Sequence, residues 1–497
     1  MKGISHSSDK RAIIDIGSNS VRLVVYNGPP RAPVVILNEK VNARLGKDLD
    51  KTGAISGKSM ETALSALARF AELLRLMEVD DIECVATAAA RDASNGPQFL
   101  EAVRRFGLSP RLLSGEEEAR TSATGVIAAF PGAKGIAADL GGGSLELVEI
   151  DGEVRPNGIT LPFGTLRLPE LRAAGPDRFA AVVRDALAKR KWNRGRGLPL
   201  YIVGGSWRAL ALQAMRVIGW PLDDPHDFEI SAPEALQLCR AFEKGKLRKA
   251  DPRITPARMA TLPDAAALLA QIVERLGPSR LIFSSWGLRE GLLYQQLSEE
   301  LKAEDPMLAS VAGFARTTFT SPNTAAAIVQ WTAPVCSDAP AEGNLRQAST
   351  LLALSAMRTE PNLRTEEAMT WALRKRWIGL DKRGRGMMAM TIFANSGLTE
   401  VPAQFYKLAD KADLARAVAW GLAVRLSRRL TGCTQAALAH SSLAIEKGRL
   451  VLSLDETVRA LYSAGNAKDL KALAEWLRLE PDVRLIGGEP KRALAAS

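Results

Sequence analysis

Histidine is nearly missing from this chain of 497 residues. His6, His226 and His440 are too few and too scattered for histidine catalysis or a histidine metal centre, and each reads as a surface or satisfied core residue. Cysteine is scarce too. Cys84, Cys239, Cys336 and Cys433 lie far apart without Cys-x-x-Cys spacing, which argues against a zinc site or a disulfide framework and leaves buried thiols as the expectation. No apolar run approaches bilayer-spanning length, so no membrane partner is expected. Residues 1–10 hold no apolar signal core and read as disordered, which makes the cytoplasm the default compartment. No recognised nucleic-acid motif accompanies the basic charge, so nucleic acid is not an expected partner.

What the chain does have is an ordinary globular composition, 46% hydrophobic and 24% charged, and a length that suits two to four domains. Its net charge is +11, and more than half of that excess falls beyond residue 300, so an anionic partner is favoured.

The most informative stretch is Asp139-Leu-Gly-Gly-Gly-Ser144, with Glu146 two residues on. An apolar run, Gly135 to Ala138, precedes it and an alternating run, Leu145 to Ile150, follows, which predicts a strand, a tight glycine turn and a returning strand. Glycines at 141, 142 and 143 let successive main-chain N–H groups close on an anion, and Ser144 adds a hydroxyl. Carboxylates beside a phosphate repel it unless a hard cation lies between them, so Asp139 and Glu146 imply Mg²⁺. A plain hairpin with a glycine-rich turn remains the competing reading of this motif taken singly.

A second copy lies near the N-terminus. Ile13-Ile-Asp15-Ile-Gly17-Ser18-Asn19-Ser20 is again an apolar strand, an Asp-x-Gly turn with hydroxyl and amide side chains, and an alternating strand. Two such hairpins over a hundred residues apart suggest two related α/β domains that each offer a phosphate-cradling turn to one cleft. A third glycine turn, Gly204-Gly205-Ser206, follows the strand Leu200 to Val203 and opens a helix, where N–H groups can hold another phosphate. Arg91 stands just beyond the strand Ile82 to Thr87, at the end of an α/β sheet where ligands bind. Its guanidinium can take two phosphate oxygens, or it can simply pair with Asp92. At Ser114-Gly-Glu-Glu-Glu118 a capping box takes up Glu117, while Glu118, rotated by about 100°, is free to face the cleft.

Taken with Val85 to Ala93, Leu113 to Arg120, Phe163-Gly-Thr-Leu-Arg-Leu168 and Gly287-Leu-Arg-Glu-Gly-Leu-Leu-Tyr294, in this order, these segments resemble the exopolyphosphatase and guanosine pentaphosphate phosphohydrolase family of the actin-like ATPase superfamily. The resemblance spans residues 11–296. It implies an α/β protein with two actin-like, ribonuclease H-like domains flanking a cleft, residues 1–133 and 134–305. Residues 306–497 would form an α-helical C-terminal domain resembling a degenerate HD domain. It implies Glu118 as general base, Arg91 as a catalytic partner, and processive release of orthophosphate from inorganic polyphosphate with Mg²⁺, a potassium ion being a further candidate. A guanosine pentaphosphate 5′-phosphohydrolase, which would take guanosine penta- or tetraphosphate, and a non-catalytic phosphate-binding regulatory module are the alternatives. A homodimer is expected by resemblance alone. The segment Leu351 to Arg364 keeps the outline of an HD phosphohydrolase without its histidine-aspartate pair, so this part is expected to bind substrate or dimerise. Arg374 to Trp377, Lys382 to Arg385 and Arg425 to Arg429 are candidate tracks for a polyanion or plain solvated helix faces.

Overall fold

The computed structural model describes residues 10–245, 250–339 and 342–487. The expected disorder of the N-terminus falls almost wholly outside them. The chain divides into two compact units, one formed by residues 1–220 and 224–303 and the other by residues 221–223 and 304–497.

The first unit is a duplication. Strands β1 (Arg11–Ile16), β2 (Val21–Asn27), β3 (Val34–Val41), β4 (Asp81–Ala86) and β5 (Pro110–Leu112) form a sheet in the order β3-β2-β1-β4-β5. Strands β6 (Lys134–Leu140), β7 (Leu145–Asp151), β8 (Val154–Leu161), β9 (Leu200–Val203), β10 (Glu229–Ser231) and β11 (Arg280–Phe283) form the second, in the order β10-β11-β9-β6-β7-β8. Apart from the edge strand β10, the second repeats the first: an antiparallel meander of three strands, then two parallel strands beside its opening strand. This repeated order is that of the actin-like ATPase fold. Parallel strands covered on both faces are apolar throughout, and Leu200 to Val203 are all buried.

Helices complete each half where the sequence periodicity places them. The helix Gly57–Leu76 buries Ala63, Leu67, Phe70 and Leu74 on one stripe against the first sheet. The helices Gly115–Ala129 and Leu288–Gln295, which follow β5 and β11, cross in close contact. Glycines make that approach possible, since a Cβ on Gly291 would lie 1.9 Å from the Thr121 carbonyl oxygen and one on Gly125 2.1 Å from that of Gly287. The two halves therefore meet through backbone, and their sheet ends are held at one cleft.

The second unit is mainly helical around Lys382–Asn395, a helix buried from Gly384 to Asn395 and packed against Lys411–Thr431. Trp377, Phe405 and Trp420 fill its core. One feature departs from the sequence reading. Residues 441–486 include three strands, β12 (Ser441–Glu446), β13 (Arg449–Asp455) and β14 (Glu480–Ile486), in the order β12-β13-β14. Short strands of ordinary length beside an Ala/Leu-rich helix, Ala464–Leu477, are easily absorbed into a helical pattern.

The basic clusters of this unit are also less available than their charge suggests. Arg385 is buried and donates to the carbonyls of Ala372 and Lys375 at 3.0 and 2.7 Å. Arg383 pairs with Glu342 and, at 2.6 Å, with Asp413, while Lys375 lies over the rings of Phe314 and Trp377. Arg425 and Arg429 share Asp469 at 2.9 and 2.6 Å. Arg383, Arg425 and Arg429 thus neutralise buried acids, and Arg385 serves carbonyls.

Candidate active site

The two hairpins superpose in design as well as in topology. Four residues separate the strands in each, Gly17 to Ser20 and Gly141 to Ser144, and in each the leading glycine N–H donates to the carbonyl of the closing serine, at 3.1 and 3.0 Å. The tips meet across the cleft. A Cβ on Gly142 would lie 2.9 Å from the Asn19 nitrogen, so nothing larger than glycine lets the turns come this close. From below, the N–H groups of Thr165 and Leu166 donate to the carbonyls of Gly141 and Gly142 at 3.1 and 3.0 Å, which is how the segment Phe163 to Leu168 fixes the second turn.

These turns line a cavity of about 360 Å³, together with Asp15, Glu118, Asp139 and the third turn at Gly204, Gly205 and Ser206. Gly204 takes φ +109° and its turn leads straight into the helix Gly205–Ile218, so the first N–H groups of that helix open on the same space. All three phosphate-cradling turns read from the sequence thus border one cavity.

The acids behave differently. Ser114 and Glu117 form the expected reciprocal capping box, with Glu117 Oε2 accepting from the Ser114 N–H at 2.8 Å. That leaves Glu118 on the cavity wall, where its Oε2 makes no hydrogen bond and faces Arg91 Nη1 at 3.6 Å. Burial, opposed by Arg91 and reinforced by Asp139 and Asp15, pushes the Glu118 carboxyl up to about 7. Asp139 accepts a short hydrogen bond from Ser122 Oγ, and desolvation raises its carboxyl and that of Asp15. Glu146, directly opposite Asp139 in the β6–β7 ladder, does not line the cavity but sits behind it, 3% exposed. Its Oε1 has no partner, and burial with the charges of Glu118 and Asp139 holds its carboxyl well above the ordinary range.

Arg91 does not line the cavity either. It donates to the Leu113 carbonyl at 3.0 Å and to Asp92 at 3.1 Å, so the simple ion pair is formed, and the same guanidinium supports Glu118.

Sequence reasoning missed a cluster of cations lining the same cavity. Arg22, Lys40, Arg208, Arg258 and Arg289 come together there from five separate segments. Arg22 faces Asp15 in the β1–β2 ladder, and the Arg258 guanidinium packs over Gly205. Burial and the neighbouring charges of Arg258, Arg22, Arg208 and Arg289 bring the Lys40 ammonium down to about 8. Burial and Arg289 bring Arg22 down to about 10. Arg22 alternates onto the Asp15 face of its strand with Lys40 beside it in the next, and Arg289 lies in a segment already singled out, but nothing local shows that these cations converge.

The buried, underpartnered carboxylates at Asp139 and Glu146 have the oxygen chemistry that a hard divalent cation takes. Among the described residues no three acidic, histidine or cysteine side chains converge into a metal cage.

A duplicated actin-like fold with paired glycine turns, and with buried acids and clustered cations lining one cavity, defines a phosphate-handling protein. The chain belongs to the Ppx/GppA phosphatase family, whose sequence model matches residues 24–300. Among solved structures it is similar to the Aquifex aeolicus family member, at 26% identity over 58% of this chain and 99% of that one, with a TM-score of 0.50. It also resembles in fold an exopolyphosphatase from Cytophaga hutchinsonii, at 21% identity over 60% of this chain and 99% of that one, with a TM-score of 0.51. No helix among the described residues is long and apolar enough to cross a membrane.

Proposed function

We propose that this phosphatase is an exopolyphosphatase, which removes orthophosphate from the end of inorganic polyphosphate. The observation that carries this reading is the cation cluster of the cleft, where Arg22, Lys40, Arg208, Arg258 and Arg289 gather and, among the described residues, no aromatic side chain lines the space. Four arginines that together lower the proton affinity of Lys40 suit a ligand bearing charge at every unit. A guanine base would find no ring to stack on.

In this reading the terminal phosphate is seated on the N–H groups of the turns at Gly17 to Ser20 and Gly141 to Ser144, with the next phosphates against the third turn and the cationic wall. Mg²⁺ held by Asp139 and Glu146 would neutralise charge on the terminal phosphate oxygens. Glu118 takes a proton from the attacking water, whose oxygen bonds to the terminal phosphorus as the bridging P–O bond breaks and the shortened chain departs with the bond electrons. A carboxyl poised near 7 suits that task at neutral pH. Arg91 is a positioning residue for Glu118, held by the Leu113 carbonyl.

The test is orthophosphate release with Mg²⁺ from long-chain polyphosphate and from guanosine pentaphosphate side by side, with Glu118→Ala as the blank. Faster release from polyphosphate is expected. Faster release from the nucleotide would overturn the substrate assignment in favour of the pentaphosphate phosphohydrolase, and release from neither would leave a phosphate-binding regulatory module.

A further inference from the structure

Within the second unit, one guanidinium of the Arg425 to Arg429 cluster is not taken up by an acid. Arg428 has only a long hydrogen bond to Asn395 Oδ1, at 3.4 Å, while Arg425 and Arg429 beside it are paired with Asp469. It opens, with Arg358, on a separate cavity of about 320 Å³ whose lining contains no acidic residue. Arg358 makes no ion pair among the described residues and is exposed. Two guanidiniums facing one space without a counter-charge call for an anion. The surroundings reinforce this, since burial and then Arg425, Arg364 and Arg429 act together to hold Arg428 below the usual arginine range, with only the Cys433 thiol opposing them.

The rim adds a second, independent signal. Phe319 lines the cavity although the residue is 88% exposed, and its backbone sits at φ +53°, where the helix Pro306–Thr317 ends. Its N–H donates to the Arg316 carbonyl and that of Thr320 to the Ala315 carbonyl, the closing turn in which glycine is the usual occupant. A bulky residue in the left-handed region is strained. Ordinary packing does not repay the strain, because the residue is in solvent. Phe319, Arg358 and Arg428 border the same space, and so do Thr320 and Ser321.

We propose that this cavity is a second ligand site, separate from the active-site cleft, that takes a nucleoside phosphate. Arg358 and Arg428 hold the phosphate, and the base stacks on Phe319. The volume falls in the range of small-molecule pockets, of about 300–1,000 Å³. The contrast with the cleft is chemical: cations without a ring there, cations with a ring here.

Cys433 borders the cavity and is partly exposed, whereas Cys84, Cys239 and Cys336 are buried, so its alkylation reports on this site and not on the cleft. In the full-length protein, saturating ADP should slow iodoacetamide labelling of Cys433, read by peptide mass spectrometry, at least about fivefold. Tripolyphosphate should protect less and adenosine hardly at all. Phe319→Ala should erase the advantage of ADP over tripolyphosphate, and Arg358→Glu, on the surface, should erase both. Equilibrium dialysis with labelled ADP should show Arg358→Glu losing one bound equivalent. The site is overturned if ADP fails to protect Cys433, or if Arg358→Glu keeps both the protection and the stoichiometry. Equal protection of the native protein by tripolyphosphate and ADP would overturn the nucleoside assignment.

Discussion

The two hairpins share a strand order, a turn of four residues with the same internal hydrogen bond, and an aspartate two residues before the glycine, yet the residue opposite that aspartate is Arg22 in one and Glu146 in the other. In the first, an acid faces a base that belongs to the cationic wall. In the second, an acid faces an acid, and both carboxyls are pushed up by burial. A duplicated scaffold has thus been given two electrostatic roles by one ladder position. Under the proposed function both turns seat the phosphate, the first half adds a side-chain cation beside it, and the second adds acids that would hold Mg²⁺.

The largest break in this picture should come from Glu118, which stands between the halves. Glu118→Gln should lower turnover by about 10³-fold while leaving polyphosphate binding nearly intact, as expected of a general base; near-normal kcat in a steady-state assay would remove that assignment. Gly142→Val, which drives a side chain into Asn19, should cost roughly 100-fold in kcat/KM by separating the turns. Retained activity would show that the tips need not touch. Arg258→Ala sharpens the role of the cation cluster: KM for polyphosphate should rise about tenfold with kcat little changed, the signature of uniform binding. A loss confined to kcat would place Arg258 in the chemical step.

The smallest effect concerns pH. Glu118 and Glu146 have folded-state pKa values raised above the unfolded value of 4.5. Their contribution is therefore fully present below about 4.5 and is lost as pH rises, for Glu118 through about 7. Without Mg²⁺, the melting temperature should fall over this window, on the order of 5 °C, and Glu146→Gln should flatten the slope. A flat profile in the native protein would mean that these carboxylates are not strained. In the same window kcat/KM should rise, as Glu118 loses its proton.

Much of the site was legible because it is local. Each Asp-x-Gly turn, the capping box that frees Glu118, and the turn at Gly204 are continuous stretches whose backbone chemistry is written in adjacent residues. The cationic cluster was not legible as a cluster: Arg289 lies in a motif read from the sequence, but Lys40, Arg208 and Arg258 come beside it only when the duplicated sheets bring their ends together. The converse error arose in the second unit. Arg383 and Arg385 read as a surface run, but one pairs with Glu342 and Asp413 and the other is buried against carbonyls, partners dozens of residues away or hidden inside a turn. Strands β12 to β14 escaped because their length and alternation resemble the flanks of short helices.

The asymmetry of the hairpins is tested most directly by the Mg²⁺ concentration that gives half-maximal orthophosphate release, compared in Glu146→Gln and Arg22→Ala. The account predicts that Glu146→Gln raises it about tenfold or more with polyphosphate KM little changed, whereas Arg22→Ala raises that KM and leaves the Mg²⁺ dependence alone. If both substitutions shift the same parameter, the two ladder positions do the same job and the division of labour between the halves is wrong.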